Sequence, residues 1–128
     1  MPNDVLIVED DALIALDFES TIVNFGVARV RTATQVAQAL EMIAERPPDF
    51  ALLDVGMGTE TSLDVAATLE TRGIPFAFVT GYRADMALTG RFADRPMLSK
   101  PCLREEIEAL LRDLRATTMR SADAASET

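Results

Sequence analysis

Five apolar runs of strand length alternate with segments of helical period along most of this chain, and few folds accept that pattern. The first run, Val5-Leu6-Ile7-Val8, is apolar on both faces, as a strand covered by helices on both sides must be. Residues 12–24 follow as a helix, with Leu13, Leu16 and Val23 marking its apolar spacing. Residues 27–32 read as a partly exposed strand. Val36, Leu40 and Ile43 mark a second helix that ends before Pro47-Pro48, because proline lacks the amide donor and restricts the residue ahead of it. Phe50-Ala51-Leu52-Leu53 is a third strand ending at Asp54. Residues 56–61 read as a loop, and residues 62–72 as a helix stopped by Gly73. Residues 75–79 and 96–99 supply two more strands. The stripe Leu103, Ile107, Leu110, Leu111 and Leu114 predicts a closing amphipathic helix.

Repeated strand–helix alternation with right-handed crossovers predicts an α/β fold, a doubly wound five-stranded parallel sheet with helices on both faces. Residues 83–95 carry Gly90 and little apolar periodicity, so the fourth helix is expected to be short or irregular. One domain is expected over residues 1–116. Residues 117–128 are small, polar and without period, and are expected to form a disordered tail.

Composition narrows the function. A net charge of −9 argues against direct nucleic-acid binding, which needs clustered lysine and arginine. A single cysteine, Cys102, excludes an internal disulfide and suits a reducing cytoplasm. No signal peptide is read at the N-terminus, and no apolar run approaches the roughly 20 residues that span a bilayer. Histidine is absent, which removes histidine acid–base catalysis, most zinc sites and a phosphohistidine carrier role.

In open α/β sheets, functional groups gather at the carboxyl ends of the strands. Those ends bring forward Glu9 and Asp10, Asp54, Thr80 and Lys100. Lys100 is the single lysine beside eleven arginines, a compact point charge where the chain otherwise uses planar guanidinium groups. Three neighbouring carboxylates repel one another unless a cation intervenes, and Mg²⁺ is the usual hard cation with phosphate. Such a site resembles a phosphoryl-transfer centre. Asp54 is its nucleophile, the metal and lysine neutralise developing charge, and a hydroxyl receives a phosphoryl oxygen.

Val-Leu-Ile-Val-Glu-Asp-Asp at 5–11, Leu-Leu-Asp at 52–54, Val-Thr-Gly-Tyr at 79–82 and Ser-Lys-Pro at 99–101 together resemble the receiver domain of two-component response regulators. The resemblance covers residues 4 to about 116 and implies the flavodoxin-like (βα)5 fold. It also implies roles. Asp54 matches the phosphoacceptor and Asp10 the principal acidic Mg²⁺ ligand, with Glu9 its acidic neighbour acting directly or through water. Gly56 matches the position that offers a backbone carbonyl to the metal, Thr80 the switch hydroxyl, and Lys100 the lysine that pairs with the phosphoryl group. The peptide before Pro101 is cis in the family, which the modest penalty for X-Pro permits.

Departures from the family pattern are specific. Val55-Gly56-Met57-Gly58-Thr59-Glu60-Thr61 replaces the usual proline-containing loop, and Met97 stands where the fifth strand usually carries Tyr or Phe. The segment Phe78-Val79-Thr80-Gly81-Tyr82-Arg83 partly matches a subgroup of single-domain regulators with a Phe-Ala-Thr-Gly-x-Tyr signature. Tyr82 and the 83–95 segment are therefore expected to join Thr80 in the switch.

Structural roles compete with some of these assignments. Asp11 reads as the cap of the first helix. Cys102 reads as a passive residue at a helix start. With only polar residues after the last helix, the chain is expected to stand alone as a single-domain regulator. It would take a phosphoryl group from the phosphohistidine of a sensor kinase or phosphotransfer protein and contact a downstream protein. A phosphorylation-independent interaction module is the rival reading. An Mg²⁺-dependent phosphatase acting on small molecules is a third, weakened because no second aspartate stands two residues beyond Asp54.

Overall fold

The computed structural model describes residues 2–57, 60–80, 95–100, 102 and 104–112. Strand β1 (Asp4–Val8) leads into helix α1 (Ala12–Asn24), β2 (Arg29–Ala33), α2 (Val36–Glu45) and β3 (Phe50–Asp54). Two short strands follow, β4 (Gly56–Met57) and β5 (Glu60–Thr61), then α3 (Leu63–Thr71), β6 (Phe76–Thr80), β7 (Met97–Ser99) and α4 (Arg104–Arg112). The main sheet runs β2-β1-β3-β6-β7 with every pairing parallel. It is the predicted five-stranded, doubly wound sheet.

Alternation along the strands divides the core into two layers. Leu6, Val8, Ala51, Leu53, Phe76 and Phe78 pack with α2 and α3 on one face. Val5, Ile7, Phe50, Leu52, Ala77 and Val79 pack with α1 and α4 on the other. β1, β3 and β6 are buried along their whole length, which is why their sequences read as continuous apolar runs. α3 stops as expected. Gly73 adopts a φ of +72°, its N–H donates to Glu70 O, and the Ile74 N–H donates to Leu69 O. This left-handed cap suits glycine because no Cβ opposes it.

Two expectations need correction. Leu13, Leu16 and Val23 do not form the inward face of α1; they are 79%, 59% and 50% exposed. Ala15, Phe18 and Ile22 are buried instead. Helical spacing fits either stripe, and the choice fell to the sheet, where Phe18 and Ile22 join Val5, Ile7 and Phe50. Residues 56–61 are not plain loop either: β4 and β5 form an antiparallel hairpin, Gly56 opposite Thr61 and Met57 opposite Glu60. The Ser62 N–H donates to Val55 O at 3.2 Å and closes its base. The fourth-helix segment, the cis peptide at Pro101 and the polar tail lie outside the described residues.

Candidate functional site

Parallel pairing brings the carboxyl ends of β1, β3, β6 and β7 to one edge. Beyond β1 the ladder continues through the Glu9 N–H, which donates to Ala33 O at 3.0 Å. Beyond β3 it continues through Val55 N–H to Val79 O at 3.1 Å, and beyond β7 through Lys100 N–H to Thr80 O at 2.8 Å. These bonds extend the sheet to Glu9, Val55 and Lys100 and fix the backbone at the base of the site. Asp54 pairs in register with Val79, and Thr80 with Ser99, so Thr80 ends the strand beside the one that carries Asp54.

Lys100 Nζ lies 2.7 Å from Glu9 Oε1 and 3.3 Å from Asp54 Oδ1. Glu9, Asp54 and Thr80 are buried, whereas Asp10 is exposed at the rim. One carboxylate oxygen from each of Glu9, Asp10 and Asp54 lies within 4.8 Å of the other two. Asp11 stands apart from this cluster. Its carboxylate accepts from Leu13 N–H at 3.0 Å and Ile14 N–H at 3.2 Å, the expected cap of α1. Its own N–H donates to Glu9 Oε2 at 3.2 Å.

The electrostatics follow from this crowding. Burial raises the Asp54 pKa from an ordinary 3.8 to about 7, and the charge of Glu9 and a hydrogen bond to it push the same way against Lys100. For Lys100, burial alone acts to lower the pKa. The Glu9 hydrogen bond and the charges of Asp54 and Glu9 outweigh it, so the ammonium is held above its ordinary value. Three carboxylates against one ammonium leave excess negative charge, and every donor is a hard oxygen. That set fits Mg²⁺ better than a soft metal. Gly56 adds to the fit. Since Val55 and Ser62 are hydrogen-bonded across the hairpin, the next pair, Gly56 and Thr61, is of the non-hydrogen-bonded kind. The Gly56 carbonyl therefore points away from the hairpin partner and is not used by that ladder.

Among the described residues, the sequence-predicted Glu9, Asp10, Asp54 and Lys100 come together, with Thr80 at the adjoining strand end and Gly56 two residues past Asp54. Tyr82 lies outside the described residues. Cys102 is a packing residue: its thiol donates to Ser99 O at 3.4 Å, and burial, then the charge of Glu106, push its pKa up. The sequence gathered Glu9 and Lys100 at one sheet edge, but that the lysine sits closer to Glu9 than to Asp54 is seen only in the structure.

The response regulator receiver domain family matches residues 5–112. The chain belongs to that family. Among solved structures it is similar to SdrG from Sphingomonas melonis Fr1, with 37% identity and a TM-score of 0.77, covering 91% of this chain and 96% of that one. It is also similar to the BeF3-activated conformation of SdrG from Pseudomonas melonis Fr1, with 39% identity and a TM-score of 0.74, covering 88% and 95%. The phyllosphere-induced regulator PhyR of Methylorubrum extorquens is 31% identical over 121 residues, 87% of this chain. The chain spans 43% of that relative's length. As a receiver domain, the chain belongs to the two-component signalling proteins, and its acidic cluster is compatible with Mg²⁺ and with aspartate phosphorylation. No helix among the described residues is long and apolar enough to cross a membrane.

Proposed function

We propose that this chain is a cytoplasmic single-domain response regulator that accepts a phosphoryl group onto Asp54 from a partner's phosphohistidine. The observation that carries the reading is the convergence of a buried Asp54, two further carboxylates and the Lys100 ammonium at one sheet edge. An Asp54 oxygen attacks phosphorus, the P–N bond breaks, and its electron pair leaves with the donor imidazole, which takes up a proton. The donor histidine comes from a sensor kinase or phosphotransfer protein, since this chain has none. Asp10, Asp54 and the Gly56 carbonyl would hold Mg²⁺, with Glu9 beside them, and the ion supplies positive charge to the phosphoryl oxygens. Lys100 would pair with a second oxygen, and the Thr80 hydroxyl would donate to a third. The aspartyl phosphate then biases Thr80 and the segment carrying Tyr82, and a downstream protein reads the change.

The test is intact mass after incubation with acetyl phosphate. One phosphoryl adduct that requires Mg²⁺ and is absent from Asp54→Asn is the expected result. If no adduct forms and beryllofluoride leaves the spectrum of residues 80–100 unchanged, the phosphoacceptor reading falls. Equal binding of a partner by wild type and Asp54→Asn, with and without donor, would then establish a phosphorylation-independent module.

A further inference from the structure

The amino ends of β1 and β2 lie at the sheet edge opposite Asp54, where they border a cavity of about 390 Å³. Asn3, Asp4, Arg29, Arg46, Pro47 and Asp49 line it. Asp4 and Arg29 are register partners, so their side chains leave the sheet on the same face, as does that of Arg31 two residues on. Asp4 is the buried member, 8% exposed, and its two oxygens differ. Oδ1 accepts from Arg31 Nε at 3.1 Å. Oδ2 is buried without a hydrogen bond, and Arg46 Nε stands 3.6 Å from it, beyond hydrogen-bonding length.

The arginines around Asp4 are not equivalent. Arg31 is fully engaged, since its guanidinium also donates to Met42 O at 3.3 Å and to Arg46 O at 2.7 Å. The Arg46 side chain is 59% exposed, and Arg29 is exposed with no ion pair among the described residues. Asp49 is occupied by backbone: its Oδ2 accepts the Asn3 and Asp4 N–H groups, each at 3.0 Å. Three arginines against two aspartates make this corner positive in a chain whose net charge is −9.

Two needs meet in the cavity. Arg29 and Arg46 donate to an anion, while Asp4 Oδ2 accepts only, and repels an anion that brings no proton. Sulfate and carboxylates bring none at neutral pH. A phosphate group titrates at about 6, so a P–OH is available close to neutrality. Its remaining oxygens suit the planar fork of arginine. We propose that this cavity binds a singly protonated phosphate group, its P–OH donating to Asp4 Oδ2 and its other oxygens accepting from Arg29 and Arg46. Arg46 gives up its place beside Oδ2 to the P–OH, which its exposed side chain allows. The group arrives as inorganic phosphate or on a small phosphomonoester, and the volume is within the range of small-molecule sites, about 300–1,000 Å³. This site is separate from Asp54 and does not depend on the receiver reading.

Amide NMR titration of the whole chain tests this, in EDTA at neutral pH and constant ionic strength, with phosphate, glycerol phosphate and sulfate as probes. Phosphate and glycerol phosphate are expected to shift the amides of Asn3, Asp4, Arg29, Arg46 and Asp49 saturably. Sulfate is expected to bind roughly tenfold more weakly. Whichever phosphate probe binds more tightly identifies the source of the group. Arg29→Gln and Arg46→Gln, both at exposed positions, are each expected to weaken phosphate binding roughly tenfold. Asp4→Asn gives the sharpest reading. Arg31 Nε keeps the amide oxygen at the Oδ1 position, so an N–H donor replaces Oδ2 and sulfate should then bind as tightly as phosphate. Where Asp4→Asn does not fold, the arginine variants and the sulfate comparison decide. Absence of a saturable shift with either phosphate probe would overturn the proposal. So would equal binding of sulfate and phosphate by wild type, or shifts confined to the edge that carries Glu9, Asp54 and Lys100.

Discussion

Replacing Asp54 with asparagine should stabilise the metal-free protein, although it removes the residue on which the proposed function depends. Burial, with Glu9 beside it, raises the Asp54 pKa from 3.8 to about 7. The folded state therefore binds this proton more tightly than the unfolded chain does. Stability from this group is full below about pH 4 and is lost as pH rises through about 7. At pH 8 the fold bears the ionisation of Asp54 at a cost of about 4 kcal/mol, taking about 1.36 kcal/mol per pKa unit. The asparagine side chain mimics the neutral acid, since its carbonyl oxygen can accept from Lys100 and its amide can donate to Glu9. The expected gain is about 2–4 kcal/mol at pH 8 in EDTA, or roughly 10 °C in Tm for a domain of this size. The gap between the two proteins should shrink to about 2 kcal/mol or less at pH 5. Saturating Mg²⁺ at about 100 times its Kd should raise wild type by about 2.7 kcal/mol and narrow the gap again. Urea denaturation across pH 5–8, with and without Mg²⁺, measures all of this. No gap at pH 8, or the same gap at pH 5, would show that Asp54 is not held against ionisation.

Lys100→Met leaves the buried Glu9 carboxylate without its cation and should cost about 3 kcal/mol at pH 8 in urea denaturation. Asp11→Ala removes two accepted hydrogen bonds at the start of α1 and should cost about 1 kcal/mol. Isothermal titration should find its Mg²⁺ affinity changed by less than threefold, since the backbone N–H to Glu9 remains. On α1, Ile22→Ala should cost about 2–5 kcal/mol while Leu16→Ser stays within about 0.5 kcal/mol, the reverse of what leucine spacing alone suggests. Equal losses from those two variants in thermal melts would contradict the observed face of the helix.

Strand identity was legible because β1, β3 and β6 are buried on both faces, and burial on both faces writes itself as an unbroken apolar run. Helix ends were legible where a local rule governs them, as with Asp11 before α1 and Gly73 after α3. The residues of the site could be named in advance for a related reason. In a parallel sheet each strand's carboxyl end must emerge at the same edge, so Glu9, Asp10, Asp54, Thr80 and Lys100 could be gathered before any distance was known. The hairpin at 56–61 was not legible. Two-residue strands carry no periodicity, and their pairing depends on the Ser62 N–H reaching back to Val55 O.

The choice of face on α1 also lay beyond the sequence, because apolar side chains occur on more than one stripe. The sheet took Phe18 and Ile22 and left Leu13, Leu16 and Val23 outside. The charge arrangement was decided later still. Local pattern determined that this chain would place three carboxylates and one lysine at a common edge. Only the tertiary structure seated that lysine on Glu9 and buried Asp54 deeply enough to resist ionisation, because desolvation and ion pairing depend on distances between residues far apart in the chain.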